Sequence, residues 1–217
     1  MKKIAVILSG CGVMDGSEIH EATLTLLNIA AQGAKYQCAA PDAPQVRVFD
    51  HYSKKESGEK RNMLAESARI ARGEIVKIGA ISAADYDAVI FPGGLGASLN
   101  LCDFSKNGGK GTKVDAQVEK LIVDFHAAKK PIGAMCMAPV TVAKVLASKK
   151  ARVTVGNDPA IAAAINGWGA EHVNCSAEEI CFDTNNLLVT APAYMLAPDI
   201  VSLNRCVEKL IKKIMAL

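Results

Sequence analysis

The chain has 217 residues, of which 50% are hydrophobic and 22% charged, with a formal net charge of +3. That length makes one domain, spanning 1–217, with enough apolar side chains for a sizeable core. Acids and bases are interspersed and only 5% of residues are aromatic, so nucleic acid is excluded as an expected partner, and no apolar stretch approaches the roughly 18 residues of a membrane span.

Lys3 to Ser9 is a continuous apolar run, the pattern of a strand buried on both faces. It is too short for a signal-peptide core and ends in Gly10-Cys11-Gly12, which suits a tight turn. Glu18 to Ala31 reads as an amphipathic helix, with Ile19, Ala22, Leu26 and Ile29 at helical spacing and Gly33 beyond its end. Tyr36 to Ala40 is the second strand, and this β-turn-α-β start predicts a parallel sheet with right-handed crossovers. Asp42 to Asn62 is polar and irregular, a loop of functional length. Met63 to Arg72 reads as helix, Glu74 to Ile78 as a short strand, and Ala88 to Phe91 as a buried strand ending at Pro92-Gly93-Gly94-Leu95-Gly96. Leu101 to Thr112 is a second polar loop. Val114 to Ala128 is helical, Pro131 to Met135 a strand, and Pro139 to Ala147 a helix. Arg152 to Val155 reads as strand and Asp158 to Asn166 as helix. Ile180 to Phe182 and Leu187 to Val189 flank Asp183-Thr184-Asn185-Asn186, a hairpin signal, and Ala197 to Ala216 is a long terminal helix. The alternation predicts an α/β three-layer sandwich with a mostly parallel central sheet and a small antiparallel hairpin.

Seven cysteines show no CxxC pair and no Cys/His zinc spacing. Reduced thiols, no metal and a cytoplasmic location are therefore expected. Local backbone singles out Cys136, in Gly133-Ala134-Met135-Cys136-Met137-Ala138-Pro139. A sharp strand-to-helix turn needs small neighbours, and the helix that follows points its positive end at the sulfur. The alternative is a buried structural cysteine at a strand end. Gly93 and Gly94 follow a buried strand, where backbone N–H groups can turn towards a neighbouring site as an oxyanion hole, with the Met137 amide as a further donor; an ordinary glycine-rich turn is the plainer reading. Asp15-Gly16-Ser17-Glu18-Ile19-His20-Glu21 opens the first helix at the same sheet edge. Glu18 or Glu21 can reach the thiol there, unless these acids only cap the helix. Of four histidines, His126 and His172 read as packing or surface, His51 as a lid residue and His20 as a lining residue of the pocket.

Leu8-Ser9-Gly10-Cys11-Gly12-Val13-Met14-Asp15-Gly16-Ser17-Glu18-Ile19-His20-Glu21-Ala22 closely resembles the opening of the ElbB, or enhancing-lycopene-biosynthesis, family. So do Arg61-Asn62, Glu66 to Gly73, Phe91 to Gly94 and Thr190-Ala191-Pro192-Ala193-Tyr194-Met195. The resemblance runs nearly end to end and implies one class I glutamine amidotransferase-like domain, flavodoxin-like in fold, in the superfamily of PfpI-type peptidases and cofactor-free glyoxalases. It implies a glyoxalase that converts glyoxal to glycolate without a cofactor. Cys136 takes the nucleophile's position and Glu18 that of the carboxylate beside it. Gly93, Gly94 and Met137 form the oxyanion hole. Glu21, His20 and Asn100 line the substrate pocket. Glutaminases of the superfamily carry a catalytic His and Glu where this chain has Ala191-Pro192-Ala193-Tyr194. PfpI-type proteins carry a His after the nucleophile, where this chain has Met137. ElbB-like chains often carry Lys before the pocket Asn, where this chain has Leu99. An amide leaving group needs protonation and an aldehyde has none to protonate, so glutaminase and peptidase fall behind a Cys136 hemithioacetal route from glyoxal or methylglyoxal to a 2-hydroxy acid. The expected partner is a small aldehyde, and the expected assembly a homodimer by analogy with the superfamily. The competing expectation is a non-catalytic regulator or redox-sensing protein linked to isoprenoid metabolism.

Overall fold

A computed structural model describes residues 1–109 and 111–217. In chain order the strands and helices are β1 (Lys3–Ile7), α1 (Ile19–Ala31), β2 (Lys35–Ala40), β3 (Val48–Asp50), β4 (Lys55–Ser57), α2 (Met63–Ile70), β5 (Ile75–Lys77), β6 (Ala88–Phe91), α3 (Gly96–Leu99), α4 (Phe104–Asn107), α5 (Ala116–Ala127), β7 (Ile132–Met135), α6 (Ala138–Val145), β8 (Arg152–Val153), α7 (Pro159–Gly167), β9 (Glu171–His172), β10 (Cys181–Asp183), β11 (Leu188–Ala191) and α8 (Ile200–Met215).

Seven strands form the central sheet in the order β10-β11-β7-β6-β1-β2-β5. All pair in parallel except β10, which runs antiparallel to β11 at the edge. The expected sandwich is therefore present, and its hairpin is built into the main sheet: β11 continues the parallel order and β10 closes it. Strands β1, β6 and β7 are apolar because both faces are covered. Helices α1, α2 and α8 pack together on one face and α5 and α6 on the other. Chain order reverses between β1 and β6, since β2 and β5 lie to one side and β7 and β11 to the other. A crevice opens at the carboxyl ends of the strands at such a reversal.

Three details differ from the sequence-based expectations. The polar stretch 42–62 contains the antiparallel pair β3–β4, whose Lys55-Glu56-Ser57 arm is charged and exposed and so shows no apolar alternation. The run 152–155 gives only a two-residue strand, paired with β9 outside the main sheet. The loop 101–112 includes the single turn α4. Among the described residues, no helix is long and apolar enough to cross a membrane.

Candidate active site

Cys136 closes β7 at the reversal point. Its N–H donates to Ala191 O at 3.0 Å, as the ladder with β11 requires, yet its φ is +58°. A non-glycine residue in that left-handed region costs roughly 1–2 kcal/mol. The strain turns the chain abruptly into α6, with Met137 as N-cap and Pro139 in the first turn. The start of α6 brings its positive end to the sulfur, and the N–H groups of Gly94 and Met137 hydrogen-bond Cys136.

Gly93 and Gly94 have separate duties. A Cβ on Gly93 would overlap Cβ of Cys136 and lie 2.7 Å from Glu21 Oε2 and from Met135 O. At Gly94, φ is +95° and a Cβ would stand 2.5 Å from Glu18 N and Gly16 O. Of the two glycines expected at the oxyanion hole, Gly93 is engaged elsewhere: its N–H donates to Glu21 Oε2 at 2.9 Å. That leaves Gly94 and Met137 as the donors at the sulfur.

The carboxylate assignment shifts by one helical turn. Glu18 is the N-cap of α1; its side chain accepts from Glu21 N at 2.7 Å and its own N–H donates to Gly93 O at 2.9 Å. Glu18 was expected at the thiol, and capping holds it instead. Glu21, fully buried, lies beside Cys136: a single Cβ added at Gly93 would meet both Cys136 Cβ and Glu21 Oε2. Its Oε1 accepts from Tyr194 N–H at 3.2 Å. Burial and then the charge of Glu18 push the Glu21 carboxyl up to about 8, against the pull of Tyr194, Cys136 and Gly93. Burial and Glu21 push the Cys136 thiol up as well, while the Gly94 and Met137 amides pull it down. The pair thus keeps its protons at neutral pH. Removing one leaves a single negative charge shared between sulfur and carboxyl, facing four backbone N–H groups.

His20 is exposed on the first turn of α1, and its Nδ1 lies 2.8 Å from the Tyr194 hydroxyl. Tyr194, which touches both His20 and Glu21, is the site neighbour that sequence reasoning missed; the available signal was its place in the loop after β11, which also ends at the carboxyl edge. Asn100 is no pocket residue. Its Nδ2 donates to Ser9 O and Asp15 O, both at 2.8 Å, and its Oδ1 accepts from Val46 N–H at 2.9 Å. Both Nδ2 hydrogens and Oδ1 are engaged in tying the loop after β1 to the chain before β3, a structural latch. His51 is held on the same loop, accepting from Met14 N–H at 3.2 Å. His126 bonds Asn186 Oδ1 at 2.9 Å and His172 accepts from Val155 N–H at 3.3 Å, packing roles as expected.

Residues 2–202 match the DJ-1/PfpI family. The chain is 44% identical to "ES1 protein homolog, mitochondrial" of Rattus norvegicus, covering 99% of this chain and 84% of that one. It is 43% identical to "Glutamine amidotransferase-like class 1 domain-containing protein 3, mitochondrial" of Homo sapiens, covering 99% and 83% respectively. A solved structure described as an isoprenoid biosynthesis protein with amidotransferase-like domain, from Ehrlichia chaffeensis, superposes with a TM-score of 0.92 at 34% identity, covering 99% of both chains. These relatives overturn the expectation of a cytoplasmic location, since the rat and human proteins are both named mitochondrial. Free thiols report a reducing compartment, and the cytosol is only one of those.

Proposed function

The chain belongs to the DJ-1/PfpI family, and from that premise we propose that it is an ElbB-like, cofactor-independent glyoxalase acting on glyoxal or methylglyoxal. One observation carries the reading: a nucleophile-elbow cysteine set beside a buried, proton-holding carboxyl and the Gly94 and Met137 amides. The groups around the sulfur are Glu21, Gly94 and Met137, and the residue directly after the nucleophile is Met137 in place of an imidazole. That set suits an aldehyde, which has no leaving group to protonate, better than an amide.

In the singly ionised pair the Cys136 sulfur bonds to one aldehyde carbon, and the carbonyl π pair moves onto oxygen facing the Gly94 and Met137 amides. The Glu21 carboxylic acid protonates that oxygen. The carboxylate so formed removes the proton of the same carbon, whose electron pair forms the C=C bond of an enediolate, and returns it to the neighbouring carbon while the first carbon's hydroxyl proton passes to the second oxygen. One carbon reaches the thioester level while the other becomes a hydroxymethyl (or hydroxyethyl) group, so no external oxidant is needed. Water adds to the thioester, the C–S bond breaks, and a 2-hydroxy acid leaves. The balance for glyoxal is one water consumed and one glycolate plus one proton formed.

The competing role as an oxidant sensor is disfavoured by burial, because sensor thiols are exposed and acidic, whereas Cys136 is 6% exposed and raised. A homodimer is proposed as the assembly; a monomer in light scattering would remove that part. The function is tested by following glyoxal and glycolate by NMR. The parent protein is expected to form glycolate and Cys136→Ala to form none above background; equal rates would defeat the proposal.

A further inference from the structure

Two backbone amides hold the Glu21 carboxyl, and they are not equally secured. Gly93 N–H donates to Oε2 at 2.9 Å and Tyr194 N–H to Oε1 at 3.2 Å. Gly93 is fixed from behind, since its carbonyl accepts from Glu18 N–H at 2.9 Å. Tyr194 lies in the single turn Ala193–Met195 after β11, directly behind Ala193 at φ +47°. Such a backbone costs roughly 1–2 kcal/mol and persists only where its surroundings hold it.

The hold comes from the helix that carries Glu21. The Tyr194 hydroxyl lies 2.8 Å from Nδ1 of His20, the residue before Glu21, and the two rings stand 5.9 Å apart between centroids. Tyr194 is thus attached to α1 at two successive residues, by its phenol at His20 and by its N–H at Glu21. Two attachments fix the direction of the N–H, where one bond alone would let the turn swing. We infer that His20 and Tyr194 form a clamp that aims the Tyr194 amide at Glu21, both acting as positioning residues for that carboxyl. The phenol acts on His20, and the backbone alone acts on Glu21.

An N–H bonded to a carboxylate favours its charged form, so loosening the bond raises the Glu21 carboxyl still further. The titratable groups facing Glu21 are Glu18 on α1, Cys136 at the end of β7, the Tyr194 phenol and Cys206 on α8. Burial and then Glu18, Glu21 and Asp199 push that phenol up. It is therefore neutral near pH 8, and Tyr194→Phe takes no charge away from the site. His20 is exposed, so its substitution leaves the core intact.

The test is a carboxyl-13C NMR titration of the Glu-labelled parent, Tyr194→Phe, His20→Ala and His20→Asn, with Glu21→Gln identifying the resonance. The Glu21 midpoint should rise by about half a pH unit in Tyr194→Phe and in His20→Ala. The double variant should move it no further, because both substitutions remove one contact. His20→Asn, which keeps a polar atom where Nδ1 stood, should return the midpoint towards the parent's. Glyoxal turnover supplies a second arm, which rests on the glyoxalase reading. The same shift should appear there as an about threefold loss of kcat below pH 8 that vanishes above roughly pH 9.5. A general structural defect would lower the rate at every pH. An unmoved midpoint in both single variants, or a kcat loss uniform in pH, overturns the clamp. Equal turnover by the parent and Cys136→Ala overturns the glyoxalase reading, and the titration still decides the clamp.

Discussion

Left-handed non-glycine residues occur at both edges of the sheet, and they mean different things. At the amino edge Arg72, Lys129 and Lys150 take φ of +54°, +53° and +52° just after the ends of helical segments, with exposed side chains. Each does what a glycine does at a helix end, satisfying the last carbonyls; Lys129 N–H, for example, donates to His126 O at 3.0 Å. At the carboxyl edge Cys136 and Ala193 take +58° and +47° in buried positions after strands. They end no helix, and what they gain is aim: Cys136 is turned onto Glu21 and the Gly94 and Met137 amides, and Tyr194 N–H is turned onto the same Glu21. The same dihedral is ordinary punctuation at one edge and functional strain at the other.

The largest expected effect is at Gly93, whose missing side chain permits the carboxyl-edge geometry. Gly93→Ala should abolish glyoxal turnover and lower stability by roughly 3 kcal/mol, the scale of a severe steric change in a packed core, measurable by urea denaturation. Parent-like activity there would show that the Cys136–Glu21 contact is not required.

Glu21→Gln comes next. General acid–base catalysis contributes about 10²–10⁴-fold, so kcat/KM should fall by that order. The parent's rate should rise with pH through about 8, where Glu21 ionises, and the variant should lose this limb. Stability gives an independent reading with a definite sign. The folded state holds the Glu21 proton up to about 8 and the unfolded state only to its ordinary 4.5. Between those values the native state binds the extra proton, so stability falls as pH rises, by at most about 1.4 kcal/mol per unit from this group. Glu21→Gln should flatten that slope in melting curves; an unchanged slope would mean that burial does not hold the proton.

The smallest and most direct comparison of the edges is a pair of glycine substitutions. Lys129→Gly should stabilise by about 0.5–1 kcal/mol through relief of strain, with turnover unchanged. Ala193→Gly should be near neutral in stability, since the relief is offset by about 0.8 kcal/mol for the lost buried methyl. It should nonetheless reduce turnover several-fold by loosening Tyr194. Identical behaviour of the two variants would erase the distinction between the edges.

The sheet, the elbow and the glycine pair were legible because each leaves a local pattern: unbroken apolar runs, small residues flanking Cys136, glycines where a side chain cannot fit. The choice between Glu18 and Glu21 was not legible. Three residues apart on a helix, both face the same way, and Glu18-x-x-Glu21 resembles a capping box in which the second acid reaches back to the cap's N–H. Here Gly93 O takes that N–H, and Glu21 is freed to turn inward. That contact spans 75 positions and has no local signature. Tyr194 escaped for a related reason, since the contribution that holds Glu21 comes from its backbone. Asn100 looked like a pocket residue because it follows the glycine loop, and only the placement of Ser9, Asp15 and Val46 shows its amide engaged in a loop latch.

The central claim is that the strained sulfur of Cys136 bonds covalently to the aldehyde. Acid-quenched intact-protein mass spectrometry during glyoxal turnover, followed by peptide mapping, tests it directly. The expected result is an adduct of one glyoxal on the Cys136 peptide that decays as substrate is exhausted. Turnover with no adduct at Cys136, or an adduct that persists after glycolate formation has ceased, would contradict it.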